Sequence, residues 1–219
     1  MLNESNPASR TRVPGGVALN VARTLAALGN TVGLSSRVGA DREGVELLDY
    51  VTRLDITAVS IQTDNTRPTA CYTAVLDHTG NLILGLADMA IYDDFKPAHW
   101  QHGKQEIQHW NHWCVDTNLP ADTLHYLASE KADRLLFAVV TSPGKAHRLR
   151  QVLPTLDAVF ANNAEADTLV NSNTGTLQTI EEQARALCDL GALRAIVTAG
   201  VNGAAWADPD RSGHIASPS

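Results

Sequence analysis

Apolar residues recur along this chain with two alternating periods. Val17, Leu19, Val21, Ala22, Leu25, Ala26 and Leu28 fall at helical spacing before Gly29, so a helix is expected over residues 16–28, ended by the glycine. Residues 31–37 read as a strand, residues 42–54 as a helix with Val45, Leu48 and Val51 on one face, and residues 58–62 as a further strand. The rhythm then changes: residues 69–76 and 81–86 flank Asp77-His78-Thr79-Gly80, the signature of a hairpin turn. Helices return from Asp93. Val115 to Asn118 closes a strand, and Pro120 with Asp122 opens the next helix. The apolar run 135–140 is a buried-strand candidate, and residues 158–161 form a short strand that delivers Asn162, Asn163 and Glu165 to a helix start. A helix over 180–190 ends at Gly191, the strand 195–198 leads into a turn from Gly200 to Gly203, and residues 208–219 are polar and turn-rich. Alternating strands and helices argue for a parallel sheet covered on both faces.

The 219 residues suffice for one domain with a sizeable core. A formal net charge of −7 argues against nucleic acid or an anionic membrane as partner, since both need a basic face. Cys71, Cys114 and Cys188 are odd in number and widely spaced, and are read as reduced, mostly buried thiols. No apolar run is long enough to span a bilayer, and the first residues lack the apolar centre of a signal peptide, so a cytoplasmic location is expected.

Gly15 and Gly16 stand after Pro14 and before the first helix. Without Cβ atoms they let a ligand approach the backbone, and the N–H groups at a helix start are free to donate. Asn20, one turn in, both donates and accepts, which suits a polyhydroxylated ligand such as a sugar. A tight strand-to-helix turn would use the same glycines. The longer pattern is more specific: G-G-x-A-x-N-x-A from Gly15, then Gly29, Gly39, Asp41 and Gly44. It resembles the first signature of the PfkB family of carbohydrate and nucleoside kinases. The run over residues 6–29, Leu86-Ala87-Asp88-Met89, Asp116-Thr117-Asn118, Ser142 with Lys145, and Glu165-Ala166-Asp167-Thr168-Leu169 are similar to the pseudouridine kinases of that family.

The resemblance implies a ribokinase-like three-layer α/β/α sandwich with a small β lid, here one domain over 1–219 with lid segments at about 1–14 and 66–88. It implies transfer of the γ-phosphate of ATP, with Mg²⁺, to a hydroxyl of a nucleoside or sugar, pseudouridine foremost. By the same resemblance Gly15, Gly16, Asn20, Asp88 and Asn118 face the substrate, and Asn162, Glu165, Thr198, Gly200 and Gly203 face the nucleotide, with Glu165 towards Mg²⁺. Most of these residues also have a plainer reading. Asn162 and Glu165 have the spacing of a capping box, Thr198 to Gly203 that of a hairpin turn, Asn118 that of a helix-start turn, and Asp88 and Lys145 those of solvated surface charges. His99, His102, His109 and His112 with Cys114 lack the paired spacing of a zinc site and are read as packing and surface residues.

The chain departs from the family pattern at Val139-Val140 and Phe160-Ala161, and no Gly-Asp pair follows residue 165. The family's first strand and its G-A-G-D loop, which supplies the catalytic aspartate, are therefore expected to lie outside these residues. The expected consequence is little activity from the chain alone, with a non-catalytic nucleoside or sugar binder, or a degenerate kinase remnant, as the alternatives. A homodimer through the lid is a further implication of the family.

Overall fold

A computed structural model describes residues 8–101, 103–170 and 179–218. The first helix, α1, spans Val17–Ala27 and buries Leu19 and Ala22; Gly29, at φ +83, ends it, as a residue without Cβ does most readily. It is followed by β1 (Gly33–Gly39), α2 (Arg42–Arg53) and β2 (Thr57–Asp64). Asp41 caps α2, its carboxylate accepting the Gly44 N–H at 2.8 Å. β1 and β2 pair in parallel as a two-stranded sheet of their own, so the single sheet expected from the alternation is divided. Leu19, Ala22, Val32, Leu34, Val51 and Ile56 form a small core between this sheet and its helices.

The expected hairpin is present as β3 (Cys71–Leu76) and β4 (Leu82–Asp88), and every residue of both strands is exposed. Its roots are tied down. Thr69 donates to the Asp41 carboxylate from its N–H at 2.7 Å and its hydroxyl at 2.6 Å, Arg67 reaches the Ala90 carbonyl and Asp94, and Arg37 pairs with buried Asp64 at 2.8 Å. Three short helices, α3 (Ala90–Asp93), α4 (Pro97–Gln101) and α5 (Lys104–Gln108), lead into the main sheet.

That sheet has six strands: β5 (His112–Asp116), β6 (Leu135–Val139), β7 (Ala158–Asn162), β8 (Ala195–Thr198), β9 (Ala204–Ala207) and β10 (Ser212–Ile215), in the order β10-β9-β8-β7-β6-β5. β5 to β8 run parallel, and β9 and β10 turn back antiparallel. The helices between them are α6 (Ala121–Glu130), α7 (Pro143–Ala146), α8 (Asn163–Val170) and α9 (Ile180–Asp189). Thr179 and Glu182 close a capping box at the start of α9. The larger core fills the space between sheet and helices, with Ala138, Val159, Leu187 and Val197 fully enclosed. Such continuous apolar strands are the mark of a parallel sheet covered on both faces.

Two expectations are corrected. Residues 208–219 are not wholly turn: Asp208 accepts the backbone N–H groups of Asp210 and Arg211 and turns the chain into β10, an edge strand whose polar side chains hid it. The cysteines are not mostly buried, for Cys71 lies on the exposed hairpin, Cys114 on the edge strand β5, and only Cys188 is partly covered.

Candidate functional site

Parallel strands in register bring their carboxyl ends to one edge. Asp116 stands beside Val139, Val139 beside Phe160, and Asn162 beside Thr198, so the turns after β5, β6, β7 and β8 lie side by side. Ligands of open α/β sheets bind along this edge. Thr117 and Thr141 join the first two turns: their hydroxyls are 2.8 Å apart, and the Thr141 N–H donates to Thr117 Oγ1 at 2.9 Å.

The amino end of α1 reaches the same edge. Gly16 is its N-cap at φ +112, a conformation that glycine adopts without strain, and at neither Gly15 nor Gly16 would an added Cβ meet an atom within 4 Å. The open space before the helix that the sequence predicts is therefore there. Asn20 is exposed, with its N–H on the Gly16 carbonyl at 2.9 Å. α1 packs against β5, and Ala18 near the start of α1 comes close to the Asp116 carboxylate at the end of that strand. Burial pushes the Asp116 carboxyl above its ordinary range, while Asn118, Ala18 and the charge of Lys145 act in the other direction.

Asn118 is already engaged. Lys145 Nζ donates to its Oδ1 at 2.7 Å, and Arg148 Nη1 donates to its carbonyl at 2.9 Å. Burial, followed by the neighbouring Arg148, lowers the Lys145 pKa. Lys145 is thus engaged at this edge, where its ammonium bonds Asn118. Asp88 closes β4 opposite Cys71, exposed and at the root of the hairpin rather than its tip.

On the other side of the edge, Asn162 Oδ1 accepts the Glu165 N–H at 3.0 Å and Glu165 Oε2 accepts the Asn162 N–H at 2.9 Å, which is the capping box in full. Glu165 is only 6% exposed, and burial raises its pKa against the opposing pull of these bonds. Thr198 is exposed beside Asn162, and the turn over Gly200–Asn202 follows it. Gly200, at φ +56, faces open space, whereas a Cβ on Gly203 would lie 2.1 Å from the Ile215 carbonyl. Gly203 is therefore required by the passage of β10, and Gly200 is favoured by its left-handed backbone at φ +56.

The residues present fit a magnesium nucleotide. Mg²⁺ takes one or two carboxylates and completes its shell with water and phosphate, and Glu165 offers one carboxylate oxygen beside a turn open at Gly200. No group of three or more His, Cys, Asp or Glu able to hold a metal occurs among the described residues. His99 and His109 bond to nearby backbone, and His112 stacks on Phe137, so the histidine run does not converge; His102 lies outside the described residues. No described helix is long and apolar enough to cross a membrane.

A small parallel sheet, a larger mixed sheet, an exposed hairpin and an edge of strand-end turns together define a ribokinase-like α/β protein. Ribokinase of Thermotoga maritima superposes with a TM-score of 0.83 at 20% identity, covering 99% of this chain and 70% of that one. A carbohydrate kinase from Agrobacterium tumefaciens superposes at 0.84 with 29% identity, covering 97% and 67%. The family model described as pfkB family carbohydrate kinase matches residues 3–219, and the chain belongs to that family. Pseudouridine kinase of Escherichia coli (strain K12) is 27% identical over 206 residues, or 94% of this chain, which spans 66% of that protein's length.

Proposed function

We propose that this chain carries the acceptor-binding and nucleotide-binding turns of a kinase that moves the γ-phosphate of ATP to a hydroxyl of a nucleoside or sugar, pseudouridine foremost. The observation that carries the reading is that the open glycine turn of α1 and the Asn162–Glu165 and Thr198–Gly200 turns stand along one strand-end edge. Gly15, Gly16 and Asn20 cradle the acceptor, Asn118 closes its far side, and Asp88 approaches from the hairpin, which serves as the lid and as the face of a homodimer. Asn162, Glu165, Thr198 and Gly200 hold the nucleotide, with Gly203 shaping their turn. Bound Mg²⁺ would neutralise charge on the phosphates, and Glu165 would orient its water shell.

Phosphoryl transfer depends on positioning and charge stabilisation, and these 219 residues hold no Gly-Asp pair after residue 165 to supply the anion loop and base. We therefore expect binding without appreciable turnover from them alone. Calorimetry with pseudouridine, ribose and MgATP tests the proposal, with ADP release followed in parallel. Saturable pseudouridine binding that Asn20→Ala removes is the expected result. Absence of binding to all three ligands would refute the reading, and rapid ADP release would refute the expected inactivity.

A further inference from the structure

The turn between β5 and α6 carries Asn118, and its backbone is held by a side chain from another part of the chain. Arg148, in the 3₁₀ turn His147–Leu149 that follows α7, directs one nitrogen at three successive carbonyls. Its Nη1 lies 2.9 Å from the Asn118 oxygen, 3.2 Å from that of Thr117 and 3.4 Å from that of Leu119. That nitrogen carries two hydrogens, so the two shorter contacts are its bonds and the longest is shared. Among the described residues no backbone N–H donates to these carbonyls. Nη2 of the same guanidinium faces the Asp93 carboxylate of α3 at 3.5 Å, and the arginine side chain is only 19% exposed. Lys145, from the same segment as Arg148, bonds the Asn118 side chain at 2.7 Å, so Asn118 is gripped by its side chain and its backbone together.

We infer that Arg148 is a positioning residue for the acceptor site: by pinning the carbonyls of the turn after β5 it sets the orientation in which Asn118 meets the acceptor. The inference rests on the reading of Asn118 as a residue that faces the acceptor. Carbonyl oxygens that converge on one point repel one another, and a cation at their focus removes that cost while donating hydrogen bonds stronger than neutral ones. Arginine suits the place because its nitrogens lie in one rigid plane, so that one serves the carbonyls while the other faces Asp93. A lysine keeps the charge but offers a single ammonium on a flexible stem, which cannot serve both. The Asp93 carboxylate is 61% exposed, and an ion pair of that kind contributes little by itself, so the weight falls on the carbonyl bonds.

The test is a mutant cycle on the full chain, read by pseudouridine calorimetry and by the NMR resonances of Asn118. In Arg148→Lys the backbone and side-chain amide resonances of Asn118 should move, and pseudouridine affinity should fall about tenfold, as when a hydrogen bond to a charged group is lost. With Asn118→Ala already in place, the same Arg148→Lys change should lower affinity by less than about twofold, because the side chain it orients is gone. Arg148→Gln, which keeps an N–H donor and part of the stem, carries the same two readouts if the lysine variant does not fold. Leu187→Ala, in the large core, should lower the thermal midpoint and leave affinity unchanged, which separates orientation from stability. Unmoved Asn118 resonances in Arg148→Lys overturn the inference, as does wild-type affinity in that variant. So do equal losses with and without the Asn118 side chain, since these place the guanidinium against the ligand itself. If the wild-type chain binds no nucleoside, the functional reading falls, and the Asn118 resonances still decide whether Arg148 sets the turn.

Discussion

Replacing Asn162 by alanine and Glu165 by glutamine perturbs one turn in two different ways. Asn162→Ala removes the acceptor of the Glu165 N–H, now bonded at 3.0 Å, and the loss of a helix cap costs about 1–2 kcal/mol. In a domain of this size that lowers the thermal midpoint by roughly 2–8 °C. Glu165→Gln keeps an oxygen for the Asn162 N–H, and glutamine serves in a capping box as well as glutamate does. It also removes a charge that burial disfavours. Because the folded pKa of Glu165 is raised above its ordinary 4.5, its contribution to stability is present below that value and is lost as pH rises through the folded pKa. Wild type should therefore lose ground to Glu165→Gln between pH 4 and pH 8, the variant being at least as stable at the upper end. Binding should move the other way: MgATP affinity should fall by about tenfold in Glu165→Gln, as when a group orienting a metal's shell is lost. Thermal unfolding at the two pH values and calorimetry with MgATP read both effects. A glutamine variant destabilised as much as Asn162→Ala, or one that binds MgATP like wild type, would refute the reasoning.

Three further outcomes follow from the same structure. Ile83→Lys, at a position 67% exposed on the hairpin, should change unfolding free energy by less than about 0.5 kcal/mol yet turn a sedimenting dimer into a monomer; a monomeric wild type would remove paired hairpins from the proposal. Hydrogen bonds from the Thr69 hydroxyl and N–H, and from Gly44, hold the Asp41 carboxyl below its ordinary 3.8, so its stabilisation is present above that value and fades as pH falls through the folded pKa. Thr69→Val should raise the Asp41 pKa and begin acid unfolding at higher pH, and an unchanged Asp41 titration by NMR would count against this. Leu187→Ala, at a fully buried site in the large core, should cost about 2–5 kcal/mol in urea unfolding; a loss under roughly 1 kcal/mol would mean that the site collapses around the smaller residue.

Local chemistry was legible and distant chemistry was not. The α1 periodicity with its closing glycine, the Asp77–Gly80 turn and the Asn162–Glu165 spacing each encode structure within a few residues, and each element formed where its pattern placed it. The β10 strand escaped because an exposed edge has no apolar alternation to read. The division between β1–β2 and the main sheet escaped because alternation orders elements without pairing them. At the candidate site, the open backbone at Gly15, Gly16 and Gly200 follows from glycine itself. That Gly203 answers to Ile215 and that Asn118 is held by Lys145 are tertiary facts.

The two cores give this site a mechanical character. The proposed acceptor turn precedes α1 at the small core, whereas the proposed nucleotide turns follow β7 and β8 in the large core. An in-line transfer requires the two halves to hold a fixed separation, and a misplacement of about 1 Å lowers rate on the order of a hundredfold. Apolar packing alone is non-directional and allows one core to slide on the other. A directional bond between them does not, and the Ser36 and Tyr92 hydroxyls, 3.3 Å apart, tie β1 to α3 beside the large core.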